Sequence, residues 1–165
     1  MSLIEWRDVF DDIFQDYSDT WSLNQAHRND KNLFNRLQTQ NCLTQTRYAG
    51  FHCPKCSHYW TSARAKVDLY YPKSHQSLGQ VKLRLYGQEC LKCSRKMVYY
   101  VDPIFSIDVI QIILEKLHER VGWFCYGKER PEKTVTDTSD RGRVMNGPHE
   151  KELCEACKMG RCDQV

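Results

Sequence analysis

Nine cysteines stand at positions 42, 53, 56, 90, 93, 125, 154, 157 and 162, and six of them form three Cys-x-x-Cys pairs. Such a turn sets two thiols at the bite of one tetrahedral metal ion, so a mononuclear zinc site needs a second pair. Cys53, Cys56, Cys90 and Cys93 supply two pairs and make the first candidate site. The 33 residues between them, 57–89, exceed the ~15–20 of the common spacing, and a long hairpin absorbs the excess. His149, Cys154, Cys157 and Cys162 make a second set, compact enough to close with little help from elsewhere. Cys125 can replace His149 or Cys162 there, and exchanging one pair between the sites also satisfies the ligand counts. Two Zn²⁺ per chain are expected. Structural zinc contributes about 10–16 kcal/mol to a polar tail of this kind.

The same residues speak against catalysis. Catalytic zinc keeps three protein ligands, an open position and a nearby general base. Here each set offers four ligands. There is no His-x-Glu ahead of a Cys-x-x-Cys, as a nucleobase deaminase requires, and no His-Glu-x-x-His. Glu155 is the only acid lodged between ligands and reads as a solvated side chain. With neither a phosphate loop nor a nucleophile triad, the chain is expected to be no enzyme, to have no catalytic residues and to take no small-molecule substrate. Cys42 reads as a bystander thiol. His27, His52, His58, His75 and His118 lack ligand spacing and read as surface or packing residues.

The start, MSLIEWRDVFDD, is acidic and has no basic and apolar signal segment, so the cysteines point to a reducing, cytoplasmic setting rather than to disulfides. No run of ~18 apolar residues exists to span a membrane. The net charge of +3 hides a division: residues 1–20 carry −5 and residues 47–101 carry +8 before any metal binds.

The elements that must position these residues follow from periodicity. Trp6, Val9, Phe10, Ile13, Phe14 and Tyr17 recur at helical spacing over 2–18, where Ser2 and Glu5 fit a capping box. Glu5, Asp8, Asp12, Asp16 and Asp19 form an acidic stripe on another side. Trp21-Ser22-Leu23 predicts a short strand, and Leu33, Phe34 and Leu37 a short helix. Strands are expected over 62–71, 81–85 and 97–101 in an antiparallel sheet, with Arg64, Lys66, Lys82 and Arg84 on its exposed face. That face is the candidate contact for nucleic-acid phosphates, with Tyr70, Tyr86 or Tyr99 for stacking. Ser106 can cap a helix from Ile107 to about Val121, stopped by Gly122. The fold class is therefore α+β: a small zinc-ribbon-like antiparallel sheet with flanking helices, stabilised by two structural zinc sites. The expected organisation is an N-terminal helix and polar connector over 1–46, packed on the core, a zinc-ribbon-like core with its C-terminal helix over 47–126, a flexible linker over 127–148 and a zinc cluster over 149–165.

Three runs carry a family likeness: Cys53-x-x-Cys56-x-x-x-Trp60-x-Ser62-Ala63, Gly87-Gln88-x-Cys90-x-x-Cys93, and Cys154-Glu155-Ala156-Cys157-x-x-Gly160-x-Cys162. Together they resemble the 3CxxC-type zinc finger of the receptor-transporting proteins, over nearly the whole chain. The resemblance implies an adaptor that helps G-protein-coupled receptors to the cell surface. One interferon-inducible branch of the family is antiviral and associated with RNA, so single-stranded or viral RNA is the alternative partner. Members commonly carry a C-terminal membrane anchor. The sequence stops at Val165 without one, so the expected location is cytoplasmic, or the cytosolic face of the endoplasmic reticulum or plasma membrane where an anchor follows.

Overall fold

The computed structural model describes residues 3–30, 32, 35–93, 99–132 and 149–162. Leu33, Phe34, Met97, Val98 and the linker residues from 133 to 148 lie outside the described residues. The elements run α1 (Leu3–Phe14), β1 (Thr20–Gln25), α2 (Arg36–Thr39), β2 (Gln40–His52), β3 (Tyr59–Pro72), β4 (Leu78–Leu85), β5 (Gln88–Glu89), β6 (Tyr100–Val101), α3 (Ile107–Cys125) and α4 (Glu155–Lys158), with a 3-10 turn at Lys151–Leu153 before α4.

The fold is α+β. Four strands lie in the order β1-β4-β3-β2, and β5 and β6 make a separate antiparallel pair. The sheet is mixed because β1 runs parallel to β4, with Trp21 opposite Gly79 and Leu23 opposite Val81. The long β2 fills a stretch whose polar residues masked its strand character in the sequence. Tyr100 and Val101 pair with Glu89 and Gln88 rather than with β4, which takes the end of the expected third strand into the small sheet.

The chain divides into two compact units. One comprises 1–44, 68–84 and 107–137; the other comprises 45–67, 85–106 and 138–165. In the first, Trp6, Phe10 and Phe14 are the buried face of α1, at the spacing that faces one side of a helix, and Tyr17, just beyond the helix, is buried as well. Tyr17 stacks on His118 at 4.4 Å and on Tyr126 at 4.3 Å, and donates its hydroxyl to the His118 carbonyl at 2.7 Å. His118 also meets Asp16 at 2.8 Å, so the acidic stripe is partly spent on local pairing. Val109, Ile110, Ile113, Leu114, Leu117 and Val121 are the buried stripe of α3. Gly122 does not stop that helix, which runs on to Cys125. The stop is Gly127, whose φ of 63° takes the left-handed turn at no steric cost while the Lys128 N–H bonds the Gly122 carbonyl.

The period of two predicted an exposed basic face, and that expectation fails for two of its four residues. Lys66 is 4% exposed and Arg84 1%, whereas Arg64 and Lys82 are half-buried. From Ala65 onward every residue of β3 is buried, so both faces of the strand are covered and alternation no longer separates inside from outside.

Gly79 marks the tightest packing in the first unit. A Cβ there would lie 2.3 Å from the Trp21 ring, whose indole N–H is held by the Tyr126 hydroxyl at 2.9 Å. Gly79→Ala is expected to cost about 1–3 kcal/mol by overpacking. The check is a lower apparent melting temperature at unchanged zinc content.

Candidate metal centres

Both candidate ligand sets belong to the second unit. The first arises where two β-hairpin turns meet. One turn joins β2 to β3 and carries Cys53 and Cys56; it is closed by Cys53 N–H to the His58 carbonyl at 2.9 Å and Ser57 N–H to the Cys53 carbonyl at 2.9 Å. Ser57 takes a φ of 58°, the left-handed conformation that reverses the chain. The other turn follows β5 and carries Cys90 and Cys93, closed by Cys93 N–H to the Cys90 carbonyl at 3.1 Å.

All four sulfurs lie within 4.8 Å of one another, with Cys53–Cys93 at 3.9 Å and Cys56–Cys90 at 3.6 Å. Tetrahedral zinc with Zn–S of about 2.3 Å puts its sulfurs ~3.8 Å apart, so the spacing suits that ion. The second set behaves likewise. His149 Nε2 lies 3.4 Å from Cys157 Sγ and 3.7 Å from Cys162 Sγ, against the ~3.6 Å edge that bond lengths of about 2.0–2.1 and 2.3 Å imply. Cys154 completes the group. In all three Cys-x-x-Cys turns, the second and third amides after the first cysteine bond its sulfur: Lys55 and Cys56 to Cys53, Lys92 and Cys93 to Cys90, Ala156 and Cys157 to Cys154. Those N–H groups stabilise thiolate.

The protonation states show what a cation has to supply. Burial pushes the Cys53 thiol up, but hydrogen bonds from the Tyr99 hydroxyl and the two backbone amides outweigh it and bring the group down to about 6. Cys93 is pushed up to about 12, first by its hydrogen bond with Cys56 and then by burial. Burial leads in raising Cys90 and Cys154, and it takes Cys162 to about 12 with the help of Cys157. Burial and the charges of Arg64 and Lys151 lower His149, which favours the neutral imidazole that a metal needs. Four sulfurs this close cannot all ionise by themselves. A divalent cation removes the repulsion.

Several residues around the ligands were missed or misjudged in the sequence. Glu155 is not solvated: it is 3% exposed, and its carboxylate accepts the Gly87 N–H at 2.7 Å. The Glu155 N–H returns a bond to the Gly87 carbonyl at 3.1 Å, Gln88 forms an antiparallel bridge with Cys154, and Lys158 meets Glu89 at 2.8 Å. Each residue from Gly87 to Glu89 thus holds the C-terminal cluster, and Cys90 comes next. Trp60 donates its indole N–H to Gln88 at 2.9 Å and stacks on Phe51 at 5.3 Å. Gly160 adopts a φ of 66°, the left-handed turn that brings the chain round toward Cys162. Cys125 is in neither group. It is buried in the first unit, faces the carbonyls of Pro72 and Ser74 at 3.6 and 3.4 Å, and is pushed up to about 11 by burial.

Residues 46–160 match the zinc-ribbon 3CxxC family model, a zinc-binding domain. Receptor-transporting protein 4 of Mus musculus is 33% identical over 122 residues, which are 72% of this chain and 48% of that protein. Receptor-transporting protein 4 of Homo sapiens is 31% identical over 172 residues, 96% of this chain and 64% of the relative. Receptor-transporting protein 3 of Mus musculus is 30% identical over 166 residues, 97% of this chain and 33% of the relative. The chain belongs to the receptor-transporting protein family, of the 3CxxC zinc-binding type. It spans from about a third to just under two-thirds of the length of these curated relatives. No solved structure matches it.

Membership and geometry agree on the metal: a four-cysteine group and a group of three cysteines and a histidine fit two zinc ions per chain. Elemental analysis of the purified protein is expected to give two zinc per chain, and one or none contradicts the assignment. Glu155→Ala leaves the buried Gly87 N–H unpaired, at a cost of about 1–3 kcal/mol. A chelator should then strip zinc from the C-terminal group faster than from wild type. Glu155→Gln, which keeps an acceptor, should restore part of the difference.

Proposed function

We propose that the chain is an adaptor that promotes delivery of G-protein-coupled receptors to the cell surface through protein–protein contacts, and that it is not an enzyme. One observation carries the reading: relatives named for receptor transport align with 96% and 97% of its length. The centres support it. We assign Cys53, Cys56, Cys90 and Cys93 to one zinc and His149, Cys154, Cys157 and Cys162 to the other. Each zinc then has four protein ligands and no open position for substrate or water, which fits structural rather than catalytic use. When bound, the metal supplies cross-links between β-hairpins. The chain's own residues orient the sulfurs, through amide hydrogen bonds and the Tyr99 hydroxyl.

Among the described residues no helix is long and apolar enough to cross a membrane. An adaptor of this kind would work at the cytosolic face of the endoplasmic reticulum or plasma membrane, held there by its receptor or by an anchor. RNA binding gains no support from the basic strands, because burial of Lys66 and Arg84 leaves Arg64 and Lys82 without the continuous charged face that phosphates need.

The test is the surface level of a co-expressed G-protein-coupled receptor at constant total receptor. It should rise with the wild-type protein and fall back with Cys90→Ser/Cys93→Ser. No rise with wild type overturns the adaptor reading. For RNA, a titration with single-stranded RNA at two salt concentrations should show no binding that depends on Arg64 and Lys82. Salt-sensitive binding lost in Arg64→Glu/Lys82→Glu would put the RNA role in its place.

A further inference from the structure

The first unit contains a polar cleft of about 190 Å³ that none of the foregoing uses. Its walls include Asn41 at the start of β2, Tyr71 near the end of β3, and Arg120, Trp123 and Phe124 from the last turns of α3, with Arg130 beyond the helix. The cleft has room for several waters, more than a lone carboxylate or small ion fills.

The polar side chains named here are donors. Arg120 and Arg130 both favour the charged form of the Tyr71 phenol, so both guanidiniums stand near its oxygen. Burial raises the Tyr71 pKa, so the phenolic proton stays in place at neutral pH. The Asn41 amide nitrogen, behind the wall of the cleft, is buried and has no hydrogen-bond partner among the described residues. Arg130 sits with its guanidinium 5.3 Å from the Trp123 ring centre and 5.0 Å from that of Phe124, a stacking that leaves its edge N–H groups available. Among the described residues that line the cleft there is no carboxylate. Two guanidiniums and a phenol in one recess call for an anionic acceptor. The Trp123–Phe124 wall calls for something flat or apolar beside it.

We propose that this cleft binds the carboxylate of an acidic peptide segment, with the neighbouring apolar or aromatic residue of that segment laid against Trp123 and Phe124. The position on α3 favours carboxylate over phosphate. Trp123 and Phe124 lie in the last turn, where the helix end carries partial negative charge and unpaired carbonyls. A dianion is repelled there more than a monoanion, and phosphate sites use the opposite helix end. Two arginines suffice for one carboxylate. The inference goes beyond the receptor reading and does not rest on it.

The test uses the zinc-loaded chain and two peptides, acetyl-Glu-Phe-Glu-amide and acetyl-Gln-Phe-Gln-amide, with binding read by calorimetry. The acidic peptide should bind saturably and the amide at least tenfold more weakly. Arg130→Gln and Arg120→Gln should each weaken the acidic peptide at least fivefold at two zinc per chain, while Lys82→Gln should leave it unchanged. Arg130 is exposed, so its variant carries the test even where Arg120→Gln disturbs packing. Equal binding of the two peptides, no binding of either, or an affinity insensitive to Arg130 overturns the proposal. So does displacement of the peptide by inorganic phosphate at concentrations where acetate has no effect.

Discussion

Four sulfurs within 4.8 Å of one another are the constraint on which the metal-bearing unit depends. As thiols they are in ordinary van der Waals contact, at 3.6 Å for Cys56–Cys90 and 3.9 Å for Cys53–Cys93; as thiolates they repel. Only a divalent cation turns the cluster into an attractive centre, and it does so by joining segments far apart in sequence. The Cys53–Cys56 turn and the Cys90–Cys93 turn each close with a few hydrogen bonds of their own. The first turn joins the long β2 and β3, whereas the second lies between β5 and β6, which contribute two residues each. A metal here adds a cross-link that strands as short as β5 and β6 do not supply.

The second centre follows the same logic with one addition. Its backbone is docked before any metal is considered, by the carboxylate of Glu155 on the Gly87 amide and the bridge from Gln88 to Cys154. A buried carboxylate is tolerated only where its acceptor capacity is met, and a main-chain amide at 2.7 Å meets part of it. The Lys158–Glu89 pair adds a contact one residue away from Cys90. The tail thus contacts three consecutive residues, Gly87, Gln88 and Glu89, that lead into Cys90 of the first centre.

The other unit is held by ordinary packing. Aromatic rings of α1 and β1 meet α3 around Tyr17, and two aspartates, Asp16 and Asp19, are tied to His118 and His75. The hydroxyl of Tyr126 links Asp19 to the Trp21 indole, donating to one and accepting from the other.

The two Cys- and His-bearing groups that the fold brings together were legible in the sequence because zinc dictates residue type and local spacing: Cys-x-x-Cys is a local rule, and two such pairs plus a His-x4-Cys-x2-Cys-x4-Cys run leave few combinations. The apolar faces of α1 and α3 were legible for the same reason, since a period of 3.6 is written along the chain. What the sequence could not decide was whatever depends on the second face of an element. Arg84 and Lys66 alternate as solvent-facing residues should, yet tertiary packing covers both faces of their strands. Glu155 looks like a surface acid, yet it caps an amide 68 residues away. Cys125 carries the right atom, but burial beside Pro72 and Ser74 removes it from either centre. Residue type and short-range spacing are properties of the chain. Burial, and the partner that makes burial tolerable, belong to the fold.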